Sequence, residues 1–265
     1  MDEITLIFNL EPYSIPGKKD SCLMAEAMVK SFRKNAGVYK NCKIIAMSSN
    51  GNNPPKETLQ VLSELDVIWD ETVLNRNPYN GYFNKIEAYA YLEKIVKTRY
   101  VLAVDVDVFF FSSSGIKEAL KILPKHNLIC IKDYTPDYIN EEHRVYLEPN
   151  LYEKKFLNSG VLLYEPKSGI CDLWKNKMKE VLRDDTLLNF YKKNLDISKY
   201  LTDEVPLSKA VKDHELRVCV MDIPGIKHYY FFKNLFEESI NIPTKEKVSF
   251  YKIISKIKCP NVPRS

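Results

Sequence analysis

The chain has 265 residues, of which 45% are apolar, and this is enough for one large α/β domain with a substantial core. Its formal net charge of +4 is small and its basic residues are dispersed, which argues against a nucleic-acid-binding arm. Without a signal-peptide pattern or an apolar run long enough to span a membrane, a soluble, cytoplasmic protein is expected. Six cysteines without a Cys-x-x-Cys pair argue against a zinc site and favour buried free thiols.

The first half of the chain alternates predicted strands and helices. Short apolar runs predict four strands, at 4–8, 43–47, 66–69 and 100–104. Three helices are predicted between them, at 22–34, 54–65 and 84–97. Ser21 is expected to cap the first helix, and Leu23 is expected on its apolar face. This order of elements predicts a mostly parallel, Rossmann-like sheet with right-handed crossovers.

The second half is less regular. Strands are predicted at 128–131, 161–164 and 217–221, and helices at 170–183 and 205–211. Between the first two of these strands lies a long polar and aromatic segment, 133–150, and a connection of that length is usually functional.

Asp105 and Asp107 lie at the end of the strongest apolar run of the chain, residues 100–104. Such a run, without alternation, is typical of a strand that is buried on both faces of a parallel sheet. Open α/β sheets bind ligands at the carboxyl ends of their strands. The apolar sequence resumes at 108–111, which predicts that the strand continues and that the two acids are set into the core. Buried carboxylates need a cationic partner, and oxygen ligands favour Mg²⁺ or Mn²⁺.

Two common phosphate-binding motifs are missing from the sequence. No Gly-x-Gly-x-x-Gly follows the first strand, and there is no Gly-x4-Gly-Lys-Ser/Thr loop. The sequence therefore does not support a dinucleotide clamp or a P-loop.

Four stretches, in order, resemble the GT-A-fold glycosyltransferases, most closely glycosyltransferase family 8, the relatives of glycogenin and galactosyltransferases. They are residues 101–107, 156–163 and 202–207, and Lys227-His228 with Lys233 following. The resemblance covers roughly residues 4 to 233. It implies one GT-A domain over 1–265, a mixed, mostly parallel sheet flanked by helices, with a nucleotide-binding half at 1–111 and an acceptor-binding half at 112–265. It further implies transfer of a sugar from a UDP-sugar to an acceptor hydroxyl with Mn²⁺ or Mg²⁺, with retention of configuration favoured.

The same resemblance implies roles for individual residues. The metal ligands would be Asp105, Asp107 and His228, with Asp105 also near the ribose. Asp203 and Glu204 match the acidic turn that faces the reacting sugar. The remaining residues would contact the donor or acceptor: Asn9 and Tyr13 the nucleobase, Lys85 the donor sugar, Lys233 the diphosphate, and Asn158, Ser159 and Gly160 the donor or acceptor pocket.

Several alternatives remain open at this point. Asp203-Glu204 before a helix is also an ordinary N-terminal cap, and Asn158-Ser159-Gly160 is also a common turn sequence. The whole chain could be a nucleotide-sugar-binding protein of the same fold without turnover. A phosphatase with an aspartate nucleophile is a weaker alternative, because that class carries its acid pair on the first strand. A nucleotidyltransferase would need a glycine-rich basic loop after strand one, which the sequence does not contain.

Overall fold

A computed structural model describes residues 3–11, 14–15, 19–48, 53–74, 81–131, 157–185, 203–221 and 223–228. At 14–15, 19–20, 81–82 and 227–228 it describes the backbone only. Tyr13, Lys233 and the segment 133–150 lie outside these residues.

The described residues form eleven strands and six α-helices. The strands are β1 Ile4–Asn9, β2 Ser14–Ile15, β3 Lys19–Asp20, β4 Lys43–Met47, β5 Val67–Asp70, β6 Tyr100–Val104, β7 Val108–Phe110, β8 Leu128–Ile131, β9 Val161–Tyr164, β10 Val218–Met221 and β11 Ile226–His228. The helices are α1 Ser21–Asn35, α2 Lys56–Glu64, α3 Gly81–Ile95, α4 Ser114–Ile122, α5 Ile170–Val181 and α6 Glu204–Asp213. Every strand and helix predicted from the sequence is found within these residues.

Seven strands form one sheet in the order β10-β8-β9-β6-β1-β4-β5. β1 pairs in parallel with both β4 and β6, whereas β9 runs antiparallel to β6 and β8. The mixed, mostly parallel sheet predicted from the sequence is therefore confirmed. From β1 the chain moves outward to β4 and β5 and then returns to the other side of β1 as β6. The sheet thus has a topological switch point between β1 and β6.

The prediction that the strand continues beyond the two acids is wrong. Asp105–Asp107 form a turn, in which the Val108 amide donates to the Asp105 carbonyl at 3.2 Å. β7 then leaves the main sheet and pairs antiparallel with β11. Within the turn Asp107 is only 9% exposed, whereas Asp105 and Val106 are half-buried. The three-residue interruption 105–107 is long enough for the chain to change direction. Apolar sequence on both sides of it therefore does not show that one strand continues through it.

Two apolar layers cover the sheet. α1, α2 and α4 lie on one face, and α3 and α5 on the other, with Trp174 fully buried in the second layer. Leu23, predicted on the core face of α1, is instead 55% exposed. The helix also begins at Ser21 itself, and the Ser21 hydroxyl donates to the Glu11 carbonyl.

The five described cysteines are free thiols, and Cys42, Cys130 and Cys171 are buried, as predicted. In the part of the chain that the structure describes, no helix is both long enough and apolar enough to cross a membrane.

Candidate active site

The turn after β6 carries the two acids that the sequence singled out. The Asp105 amide donates to the Gly160 carbonyl at 2.9 Å, which ties the turn to the segment before β9. Next to it, the Asn158 side-chain oxygen accepts a hydrogen bond from the Gly160 amide at 2.8 Å. Asn158 and Gly160 thus form a local turn, and that turn orients the backbone of Asp105.

Lys85, on α3, lies between two carboxylates and a hydroxyl. Its Nζ is 2.8 Å from Asp105 Oδ1 and 2.6 Å from Asp203 Oδ2, and it donates to Ser159 Oγ at 2.9 Å. An ammonium group has three donors, so the three contacts use them fully. We call Lys85, Asp105, Ser159 and Asp203 the Lys85 cluster. The lysine side chain is 8% exposed, which makes this a buried ionic site.

Asp203 occupies the N-cap position of α6, but its side chain makes no capping hydrogen bond. Its Oδ2 instead accepts from Lys85 and, at 2.6 Å, from the Ser159 hydroxyl. The residue itself is only 3% exposed. The interpretation of Asp203 as an ordinary helix cap is therefore wrong, because its carboxylate belongs to the Lys85 cluster.

The charges of the cluster shift one another's protonation. Burial by itself would lower the pKa of Lys85, but Asp105 and Asp203 outweigh it and raise that pKa well above the ordinary value. Burial raises the pKa of Asp105, Lys85 opposes this, and Asp107 and Asp203 add to the rise. The Asp105 carboxylate therefore experiences the like charges of Asp107 and Asp203 as well as the Lys85 ammonium group, and a cation bound beside it would offset that repulsion.

The Asp105–Asp107 pair fits a divalent cation in its donor chemistry. Both side chains offer carboxylate oxygens, and their mutual repulsion falls when a cation binds. Among the described side chains, no group of three His, Cys, Asp or Glu residues is close enough to hold a metal ion. The backbone of His228 nevertheless lies opposite Val108 in the β11–β7 ladder, one residue from Asp107.

Asn9 ends β1 on the other side of the switch point. The β1–β6 register pairs Ile7 with Ala103, and Asn9 and Asp105 each follow two residues later. The Asn9 amide nitrogen donates to Glu11 Oε1 at 3.2 Å. Its carbonyl oxygen is buried and has no hydrogen-bond partner among the described residues. A buried acceptor of this kind is suited to a donor group on a ligand.

The structure thus brings together four of the predicted site residues directly, namely those of the Lys85 cluster, and brings Asp107, Asn158, Gly160 and Asn9 next to them. Glu204 is half-buried, and after burial its charge is the largest contribution to the raised pKa of Cys130 on β8. Sequence reasoning missed Trp174, whose indole N–H donates to the Asp203 carbonyl, and Tyr89, whose hydroxyl donates to the carbonyl of Val104, directly before Asp105. Tyr89 could have been found, because it lies four residues after Lys85 on the same helix.

No protein-family model matches the chain, and no curated protein sequence does. Among solved structures, a protein from Desulfovibrio desulfuricans G20, provisionally named a nucleotide-diphospho-sugar transferase, is 8% identical with a TM-score of 0.51. That match covers 96% of this chain and 95% of the other.

Two further solved structures are similar with lower scores. The glycosyltransferase GlyE of Streptococcus pneumoniae TIGR4 is 16% identical over 82% of this chain and 44% of its own, with a TM-score of 0.48. S. aureus TarS 1-349 in complex with UDP is 12% identical over 84% of this chain and 59% of its own, with a TM-score of 0.46. This chain therefore spans about half the length of each. The D. desulfuricans match, together with the mixed seven-stranded sheet, shows that the fold is GT-A.

Proposed function

We propose that this protein is a metal-dependent glycosyltransferase that moves a sugar from a UDP-sugar to an acceptor hydroxyl. Its main support is the Lys85 cluster, in which a buried lysine joins Asp105 at the end of β6 to Asp203 at the start of α6. The cluster lies at the topological switch point, where open α/β sheets bind ligands. Buried ionic groups are costly to maintain, so such a cluster at a ligand-binding edge argues for a functional role.

Asp105, Asp107 and His228 would hold the divalent cation. A bound Mn²⁺ or Mg²⁺ would act as a Lewis acid that neutralises the diphosphate leaving group. The support for this ligand set is the repulsion between Asp105 and Asp107, which a bound cation would offset, and the position of the His228 backbone beside the turn.

Asp203 would stabilise the positive charge that develops on the sugar carbon in the transition state. Two short hydrogen bonds, from Lys85 and Ser159, hold its carboxylate in place. A carboxylate held in this way is preorganised for electrostatic stabilisation, and this is compatible with retention of configuration. Glu204, the neighbouring acid, would remove the proton from the acceptor hydroxyl.

Other residues of this chain would bind and orient the donor. Lys85 would contact the donor sugar by exchanging one of its three present contacts for a sugar oxygen. Asn9 and Tyr13 would contact the nucleobase, with the buried Asn9 side-chain oxygen accepting from a ligand donor. Asn158, Ser159 and Gly160 would line the pocket, and Lys233 would contact the diphosphate.

The proposal is tested by screening UDP-glucose, UDP-galactose, UDP-xylose and UDP-N-acetylglucosamine for hydrolysis with MnCl₂ and with EDTA. We expect release of UDP from at least one of them in MnCl₂, and loss of that activity in EDTA and in Asp105→Ala. Tight UDP binding without turnover of any sugar would instead identify a non-catalytic binding protein. Equal UDP binding in MnCl₂ and in EDTA would contradict the metal site.

A further inference from the structure

Two fully buried aromatic residues, Tyr89 of α3 and Trp174 of α5, lie behind the Lys85 cluster. Their ring centroids are 6.3 Å apart with an interplanar angle of 57°. We call them the aromatic pair. Each has a polar group, and buried tyrosine and tryptophan residues usually direct that group at a specific partner.

Trp174 contacts both members of the ion pair between Lys85 and Asp203. Its indole N–H donates to the Asp203 carbonyl at 2.8 Å, and that carbonyl also accepts from the Leu207 amide at 3.3 Å in the first turn of α6. The Lys85 Nζ lies 5.9 Å from the centroid of the Trp174 ring, within the range of a cation–π contact. Trp174 thus donates a hydrogen bond to the backbone of Asp203 and faces the Lys85 ammonium group that the Asp203 carboxylate binds.

Tyr89 contacts the backbone on the other side of the cluster. Its hydroxyl donates to the carbonyl of Val104 at 2.8 Å, and Val104 is the last residue of β6, directly before Asp105. Since Tyr89 follows Lys85 by one helical turn, α3 supplies both the lysine that binds the Asp105 carboxylate and the hydroxyl that binds the preceding peptide.

We infer that Tyr89 and Trp174 are positioning residues, whose hydrogen bonds to Val104 and Asp203 set the separation of the two carboxylates around Lys85. The inference rests on the proposed function for its catalytic consequence, but the positions of the groups can also be probed without turnover. Precise placement of charged groups is what electrostatic stabilisation of a transition state requires. Loosening the two backbone contacts should therefore lower the rate of chemistry more than the affinity for the donor.

The chain contains a matched control in Tyr164 of β9. This tyrosine is also fully buried in the same apolar layer, but its hydroxyl contacts the Cys171 thiol at 3.1 Å and no atom of the cluster. Tyr89→Phe and Tyr164→Phe each remove one buried hydroxyl and keep the ring. Trp174→Phe removes the indole donor and tests the second contact.

For the UDP-sugar that the wild-type protein hydrolyses fastest, we expect Tyr89→Phe and Trp174→Phe to lower kcat about tenfold, with KM changed less than about twofold. Tyr164→Phe should keep kcat within about twofold of wild type, even where denaturation shows a similar loss of stability. Equal kcat values in Tyr89→Phe and Tyr164→Phe would overturn the inference, and would do so even if Trp174→Phe fails to fold.

A second readout does not depend on activity. Acetylation by an amine-reactive succinimidyl ester, followed by mass spectrometry, measures the accessibility of Lys85. We expect the lysine to react at least about fivefold faster in Tyr89→Phe than in wild type or Tyr164→Phe, because a loosened cluster exposes the amine more often. Unchanged labelling in Tyr89→Phe would overturn the inference. The two hypotheses can also fail separately. If the wild-type protein turns over no nucleotide sugar but Lys85 is still labelled faster in Tyr89→Phe, the proposed function is refuted and the positioning role stands.

Discussion

Lys85 shows how strongly the site depends on one side chain. It is the only cation bonded to Asp105 and Asp203 among the contacts of the described residues, and all three groups are largely shielded from water. Removing one partner of a buried ionic group leaves the others uncompensated, which costs far more than losing an exposed ion pair. The cluster therefore contributes to stability only as long as it is complete.

Lys85→Ala should destabilise the protein by about 3–5 kcal/mol, because it removes the cation from the buried Asp203 carboxylate and the half-buried Asp105 carboxylate. Lys94→Ala is the control, since Lys94 lies on the same helix and makes an exposed ion pair with Asp172 at 3.0 Å. That substitution should cost less than about 1 kcal/mol. Urea denaturation in EDTA measures both, and similar losses in the two variants would contradict the described cluster.

Glu93, in the last turns of α3, predicts a pH dependence of stability. It is buried and accepts a hydrogen bond from the Cys171 amide at the start of α5, and burial raises its pKa to about 7 from 4.5. Between those pH values the folded protein holds a proton that the unfolded chain has lost. The contribution of Glu93 to stability therefore falls as pH rises from 4.5 to 7, by roughly 3 kcal/mol in all.

Glu93→Gln should remove this dependence, because the amide oxygen can still accept from Cys171 and no charge is buried. We expect the variant to gain stability over wild type at pH 8 and to gain little at pH 5, as measured by urea denaturation at both pH values. Glu118→Gln, on the exposed side of α4, is the control. An equal effect of Glu93→Gln at the two pH values would contradict a raised pKa.

At the scale of elements, the short β7–β11 pair decides what lies next to the acid turn. The β7 backbone is fixed from α1, where Ser31 accepts from the Phe110 amide and Asn35 donates to the Phe110 carbonyl. β11 is held at its start by Gly225, the residue before it, whose carbonyl accepts from the Phe111 amide at 2.6 Å. Together these contacts bring the His228 backbone beside Asp107.

Gly225→Ala should weaken Mn²⁺-dependent UDP binding. Gly225 has φ +80°, and a Cβ there would lie 2.9 Å from the Ser112 backbone nitrogen and oxygen, so β11 would have to shift. Gly169→Ala is the control, since Gly169 has φ +64° but no atom within 4 Å of a Cβ. The control should cost about 1 kcal/mol of stability and leave binding unchanged. Isothermal titration calorimetry distinguishes the two, and unchanged binding in Gly225→Ala would contradict the role of β11.

Element boundaries were most predictable where the sequence is continuously apolar. β6, β8 and β9 begin and end at the predicted residues, because a strand buried on both faces needs apolar residues throughout. The same criterion failed at β7, whose Val108–Phe110 is as apolar as a strand of the main sheet but belongs to a second one. Local hydrophobicity reports burial, and it does not report which sheet a strand joins.

The site was predictable in its parts but not in its connections. The acid pair could be recognised because two carboxylates interrupt a core sequence. The bond between Lys85 and Asp203, however, joins residues 118 positions apart, and nothing local to α6 distinguishes Asp203 from a helix cap. The partner of the Trp174 N–H could not be predicted either. The apolar face of a helix predicts that the ring is buried, but it does not predict which acceptor the N–H contacts.

For the molecule as a whole, the sheet order puts the ends of β1 and β6 on either side of a switch point. A ligand bound there contacts the folded state only and therefore stabilises it. We expect UDP with MnCl₂ to raise the Tm of the wild-type protein in a concentration-dependent way. Asp105→Ala should abolish the shift, and a shift of the same size in EDTA would contradict a metal-assisted site.

Anomalous diffraction from a crystal soaked with MnCl₂ and UDP would locate the metal at or away from the acid turn. We expect a manganese peak that has carboxylate oxygens of Asp105 or Asp107 among its ligands and is in contact with the UDP diphosphate. A manganese ion and a nucleotide bound elsewhere, with the acid turn in contact with neither, would contradict it.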